Sequence, residues 1–323
     1  MISVTDTKIF EQVEDYLRAV PYDVTRCDLY TPSTLYEGYT PRKPSTFENC
    51  YDQRIYKHYL STGKKANSAL ENLARSLHDY DVTEAINNFL AHYDKFSIVA
   101  VMGGHGLRRT DPMYKEIVLL SMRLTLRGAL MASGCGPGAM EATHLGAWLA
   151  GRTEEEVEEA LYMLSFSPSF SDKEWLESAF AVMRKFPQTE FKSLGIPTWL
   201  YGHEPATPFA THIAKFFENS IREDTLLNIA LGGIIFTPGS AGTLQEIFQD
   251  TVANHYLSFG ISSPMIVFGR QFWDEEIPIY PFMEEMVEKG RYQNLRLTLT
   301  DSADEVVQEL LQFHHSLNED SKP

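Results

Sequence analysis

The hydrophobic pattern changes character near residue 95. Before that point, apolar residues recur at helical spacing in two stretches, 6–20 and 63–93, and the periodicity predicts amphipathic helices there. Between them, residues 21–49 are rich in Pro, Tyr and Thr and read as irregular chain. No short apolar strand bounded by glycines occurs in this part. Residues 1–95 are therefore expected to form a helical extension packed on the remainder. Its long loop would either buttress the fold, cover a site or contact a neighbour.

From Phe96 onward, short continuous apolar runs alternate with longer helical stretches. Strands are expected at 97–102, 129–132, 161–166, 198–201, 233–237, 264–268 and 297–299. Helices are expected at 112–127, 138–149, 209–231, from the loop 238–243 to about 255, then at 279–288 and 303–314. Strands that are apolar throughout, each followed by a helix, describe a doubly wound α/β domain over 96–315 whose parallel sheet is covered on both faces. The polar segment 316–323 reads as a frayed tail. Three glycine-bearing turns, 103–106, 134–138 and 239–242, follow predicted strands. In a parallel sheet they open onto one rim, where ligands bind.

Charge narrows the ligand. The chain carries 44 acidic and 28 basic residues, a formal net charge of −16. That field repels polynucleotides, and basic pairs such as Lys64-Lys65 and Arg108-Arg109 are too short to offset it. A single phosphate is different, because backbone N–H groups hold it whatever the global charge. Cys27, Cys50 and Cys135 lack CxxC spacing, which points to a reducing compartment without structural disulfides or a zinc knuckle. The segment 1–10 lacks the apolar core of a signal peptide, and no run of 18 apolar residues occurs. A cytoplasmic protein with no membrane association is expected.

The chemistry concentrates in the glycine loops. In Pro238-Gly239-Ser240-Ala241-Gly242-Thr243, small residues let the backbone approach a ligand, and the helix that follows aims its first N–H groups outward. Thr243 adds a hydroxyl donor, and Glu246 lies one turn in, placed to meet a sugar. The loop Ser133-Gly134-Cys135-Gly136-Pro137-Gly138 suits a tight strand-to-helix turn. Glu141 behind it either caps, orients or faces the ligand. Cys135 has no base fixed beside it and is not expected to be a nucleophile. Gly103-Gly104-His105-Gly106 offers GxG without the third glycine of a dinucleotide fingerprint. The ten histidines form no metal-ligand spacing, and no lysine signature for pyridoxal phosphate stands out, so no metal or cofactor is expected.

The two longer loops carry a resemblance. SGCGPGAMEA (133–142) and PGSAGTLQE (238–246) resemble the two signature loops of the LOG ("Lonely Guy") family, often labelled lysine decarboxylase, whose usual patterns are GGGPGxMEA and PGGxGTxxE. The resemblance covers roughly residues 95–313. It implies a Rossmann-like domain that hydrolyses a nucleoside 5′-monophosphate to free base and ribose 5-phosphate. By the same resemblance Glu246 and Arg222 form the catalytic pair. Gly239, Ser240, Ala241, Gly242 and Thr243 bind phosphate with Gly104, Gly134, Gly136 and Gly138 around them, and Glu204 is a further site carboxylate. A homodimer or larger homo-oligomer is implied too. The chain departs from the pattern in Ser240 for glycine, in Glu223 where lysine usually follows the arginine, and in one extra residue between Arg222 and Pro238. Two alternatives remain at this level. One is a protein that binds or carries a nucleotide or molybdenum-cofactor-like ligand without cleaving it, which needs the loop but not Glu246. The other is a scaffold whose N-terminal region recruits a partner.

Overall fold

The computed structural model describes residues 4–320. Four helices come first: α1 (Val4–Ala19), the single turn α2 (Pro32–Leu35), α3 (Tyr51–Ser61) and α4 (Ala69–Leu90). Strands and helices then alternate through β1 (Ile98–Met102), α5 (Pro112–Leu126), β2 (Leu130–Ser133), α6 (Ala139–Leu149), α7 (Glu154–Ser165) and α8 (Trp175–Lys185). The chain continues with β3 (Ser193–Gly195), β4 (His212–Ile213), α9 (Asn219–Ile229), β5 (Gly233–Phe236), α10 (Ala241–His255) and β6 (Pro264–Phe268). It ends with α11 (Ile279–Glu288), β7 (Arg296–Thr300) and α12 (Ala303–Asp320). Among the described residues no helix is long and apolar enough to cross a membrane.

All seven strands are parallel, in the order β4-β3-β2-β1-β5-β6-β7. The chain winds outward from β1 to β4, then returns to the other side of β1 with β5. The direction of winding therefore reverses between β1 and β5, and the loops leaving those two strands part at that point. This is the doubly wound, Rossmann-like α/β fold that the alternating pattern predicts.

Burial explains why the strands read as unbroken apolar runs. Every residue of β1, β2, β5 and β6 is buried, because both faces are covered. Val99, Val101, Ile235 and Ile266 belong to the core under α5, α6, α7, α8 and α12. Ala100, Met102, Ile234 and Phe236 belong to the opposite core, which is completed by Leu226 of α9, Ile247 of α10 and Met283 of α11. That second core also takes in Ile55 and Tyr59 of α3 and Ala74 and Val82 of α4. The N-terminal helices thus share a core with the sheet. They also finish its edge: Tyr30 and Ile213 exchange backbone hydrogen bonds of 2.8 and 2.7 Å in an antiparallel bridge beside β4. A paired edge cannot template further strands.

Three expectations are corrected. Residues 161–166 are not a strand but the end of α7. Thr153 caps that helix reciprocally with Glu156, and Val157, Ala160, Leu161 and Leu164 are buried at helical spacing. Residues 198–201 form a 3₁₀ turn (Trp199–Tyr201) around the buried Trp199 ring instead of a strand. The helix expected over 209–231 is confined to α9. Phe209, Ile213, Phe216 and Phe217 stand at helical spacing in the sequence, but they lie in a non-helical segment that holds β4, where Ala210, Ala214 and Lys215 are buried beside them, so the period marks no helix face. The short strand β3, the helix α8 and the π-helical turn Gln271–Glu276 were not anticipated. At the C-terminus α12 continues past residue 316 to Asp320, and the last part of the expected tail, 321–323, lies outside the described residues.

Candidate functional site

The turns that follow β1, β2 and β5 meet around a cavity of about 250 Å³ at the point where the winding reverses. Gly104 N–H donates to the Pro238 carbonyl at 3.0 Å and ties the first turn to the third. Gly104, Gly134, Gly136, Ser240, Gly242, Thr243 and Glu204 line the cavity together with Arg222 and Glu246. Gly138, Gly239 and Ala241 do not line it. Gly138 (φ 71°) lies beneath the rim, where a Cβ would stand 2.4 Å from the Gly104 carbonyl oxygen. The Thr243 side chain packs over Gly239, and Ala241 is exposed on the outer side of the helix start.

One wall is the N-terminus of α10. The first N–H groups of any helix have no intrahelical acceptor. Here the N-cap residue Ser240 makes no side-chain bond to them. Unpaired donors at the positive end of a helix dipole favour an anion. The buried Thr243 stands in the same turn.

Facing that turn is the pair expected from sequence. The Arg222 guanidinium reaches within 3.9 Å of Glu246 Oε1, and the two side chains are 12% and 13% exposed. Arg222 is held from behind, since its Nε donates to the Ile196 carbonyl at 2.9 Å. Gly134 lies opposite it, and a Cβ there would fall 2.4 Å from Arg222 Nη2 and 2.7 Å from Met140 Sδ, so a larger residue would displace one or both side chains. Burial pushes the Glu246 carboxyl up to about 7. The Arg222 charge opposes the rise and Glu223 adds to it. A carboxyl poised near neutrality can exchange a proton under ordinary conditions, as an acid–base residue requires. Glu223, the acidic neighbour of Arg222, is tied down by Asn219 Nδ2 at 2.6 Å and Gln245 Nε2 at 2.9 Å. Its charge is spent on linking α9 to α10. Glu204 stands at the mouth, 3.8 Å from His105 Nδ1 and 3.7 Å from His203 Nε2.

Two residues of the second loop turn inward. Glu141 does not face the cavity. Arg109 grips it with two bonds of 2.9 and 2.6 Å, Tyr114 O–H adds a third at 3.0 Å, and the ion pair is buried. A buried pair this well satisfied fixes the loop behind the site. Cys135 is fully buried in the left-handed region (φ 62°), and burial pushes its thiol up to about 12. It is not poised as a nucleophile, which agrees with the sequence reading.

The cavity also contains residues that the sequence did not single out. Thr198, Tyr201 and Met140 contribute walls, and Lys215 contributes a second cation. Only one local signal marks Lys215: it is a lone lysine inside the apolar run 209–217. A larger groove of about 740 Å³ lies elsewhere, between α4 and the start of α9. It has no glycine loop, and Lys64 and Lys65 share its lining with Asp79, Glu84 and Glu218.

No protein-family model matches the chain. No curated protein does either. Among solved structures it is similar to the molybdenum cofactor binding protein from the phototrophic bacterium Rippkaea orientalis, at 15% sequence identity and a TM-score of 0.42. That likeness covers 67% of this chain and 96% of the other, and it is a likeness of fold.

Proposed function

We propose that this chain hydrolyses the N-glycosidic bond of a nucleoside 5′-monophosphate, releasing free base and ribose 5-phosphate. The observation that carries the reading is Glu246. It is a buried carboxyl with a pKa near 7, beside a guanidinium and one helical turn from an uncapped N-terminus. A phosphate site alone needs the N-terminus and its small residues. A buried carboxyl facing the guanidinium is what a hydrolase adds to such a site. The resemblance of the loops 133–142 and 238–246 to the LOG family points the same way.

In this reading the 5′-phosphate docks on the N–H groups at 241–243, and the cavity wall sets the sugar against Glu246. Remote binding energy goes into position. Breakage of the bond between C1′ and the base nitrogen leaves oxocarbenium character on the sugar and negative charge on the departing base. Glu246 stabilises the sugar cation and takes a proton from the water that attacks C1′. Arg222 stabilises the charge on the phosphate or the departing base, which then leaves with a proton. One water is consumed, and no redox change occurs.

The test is incubation of the purified protein with AMP, GMP, CMP, UMP, IMP and their deoxy forms, followed by chromatography of free base. The expected outcome is release from at least one of them and a loss of about a hundredfold or more in Glu246→Gln. If no base is released while ribose 5-phosphate still binds, hydrolysis is ruled out and a ligand carrier is left.

A further inference from the structure

Two aspartates of the N-terminal helices are tied to the segments that carry the two cations of the cavity: Asp52 to Lys215 itself, and Asp79 to the start of the helix that bears Arg222. Asp79 of α4 is 2% exposed and does for α9 what a local cap would normally do. Its Oδ1 accepts the Phe217 N–H at 3.0 Å, and its Oδ2 accepts the Glu218 N–H at 2.8 Å. The residue at the N-cap itself, Glu218, makes no side-chain cap bond. Asp79 is in turn fixed by His78, whose Nδ1 lies 2.9 Å from Oδ1 and whose Nε2 lies 2.9 Å from the Tyr30 hydroxyl. A carboxylate at the positive end of a helix fixes where that end sits. Arg222 lies in the next turn of the same helix.

Asp52 of α3 does the corresponding work for Lys215. Both side chains are 1% exposed, and Lys215 Nζ donates to Asp52 Oδ1 at 2.6 Å. Trp199 Nε1–H donates to the same oxygen at 3.0 Å, with the ammonium 5.4 Å from the Trp199 ring centroid. An ammonium has three donors, and Asp52 takes one of them. Lys215 is also one of the residues that line the cavity holding Arg222 and Glu246. Desolvating a lysine–aspartate pair is costly. Replacing such a pair by apolar residues is often neutral or stabilising, so stability alone does not account for it.

We propose that Lys215 is a second ligand-contacting cation, and that Asp52 and Asp79 are positioning residues that set Lys215 and Arg222 against the anionic group of the ligand. The N-terminal helices then support the binding site from behind without lining it. The choice of a sugar phosphate as ligand rests on the hydrolase reading above, whereas the coupling between each aspartate and its cation does not depend on catalysis.

The experiment reads ribose 5-phosphate binding by calorimetry, in which no bond is broken. It uses full-length protein, with folding of each variant checked by thermal melting. Lys215→Met is expected to weaken binding about tenfold or more. Asp52→Asn and Asp79→Ala are expected to weaken it severalfold, with Asp79→Asn intermediate because its amide oxygen still caps one N–H. The decisive readout is the double-mutant cycle. Asp79→Ala should cost nothing further in an Arg222→Ala background, and Asp52→Asn nothing further in a Lys215→Met background. A defect that merely loosens the fold would add in both. If Asp79→Ala proves unstable, Asp79→Asn carries the same cycle. Undiminished binding in Lys215→Met, or additive effects in the cycles, overturns the proposal. Absence of ribose 5-phosphate binding to the unmutated protein instead removes the sugar-phosphate reading on which the choice of ligand rests.

Discussion

Glu246 and Asp250 lie one turn apart on α10 and share an unusual condition, in that burial holds both carboxyls protonated well above the ordinary range. Glu246 is raised to about 7 against Arg222, and Asp250 to about 8 by burial alone. Asp250 Oδ1 has only the Asn254 amide at 3.3 Å, and its Oδ2 has no partner. The sign of the effect on stability follows from linkage. A group whose folded pKa lies above its unfolded one binds more protons in the native state, so the stability it contributes is lost as pH rises through the folded value. Glu246→Gln should therefore gain stability relative to wild type as pH rises from about 4.5 to about 7, and Asp250→Asn over the wider span from about 4 to about 8, because its folded and unfolded values lie further apart. Denaturant unfolding across that range checks both, and a constant difference would contradict the assignment. Turnover runs the other way. If Glu246 acts as the base, the rate rises with pH through about 7. The site is least stable where it is most active.

At the scale of elements, the start of α10 sets stability against function. Gly242 lies in the first helical turn and lines the cavity, and a Cβ there meets nothing within 4 Å. Gly242→Ala is expected to stabilise the folded protein by about 0.5–1 kcal/mol, as alanine does in a helix. It should also weaken ribose 5-phosphate binding, so thermal shift without ligand and affinity should move in opposite directions. The same elements mark where the sequence was legible. β1, β5 and β6 read correctly because double burial leaves an unbroken apolar run. The loops 133–138 and 238–243 were legible as turns because small residues after an apolar strand mark them locally, whereas the pairing of Glu246 with Arg222 was expected from the resemblance of those loops. Residues 161–166 misled because Leu161-Tyr162-Met163-Leu164 forms a compact apolar run, although Thr153 and Glu156 already marked a helix start. Lys215 was invisible as a site residue because its partner Asp52 lies 163 positions away. Asp79 was invisible for the same reason, 138 positions from the amide it caps. No periodicity reports a contact of that range.

For the whole molecule, the shared core makes residues 1–95 inseparable from the sheet. Ile55, Tyr59, Ala74 and Val82 cover the face to which Ala100, Met102, Ile234 and Phe236 contribute. Deleting residues 1–95 would bare that face and leave Lys215 and the start of α9 without their carboxylates. The truncated chain is expected to be insoluble or unfolded, and the full chain to unfold in one transition. Coincident melting by tryptophan fluorescence and far-UV circular dichroism tests the latter. Two separate transitions, or a folded fragment 96–323, would show that the extension is an independent unit.

The capping of α9 by Asp79 also has a consequence for the order in which the molecule is made. Chains emerge from the ribosome N-terminus first, and contacts between distant segments are slow to close. α3 and α4 leave the exit tunnel with their apolar faces uncovered, and the strands they will cover are synthesised afterwards. The carboxylate that caps the start of α9 must wait 138 residues for the amide it holds. The ligand cavity is thus among the last parts of the protein to exist, and a chain stalled anywhere short of β5 has no site at all.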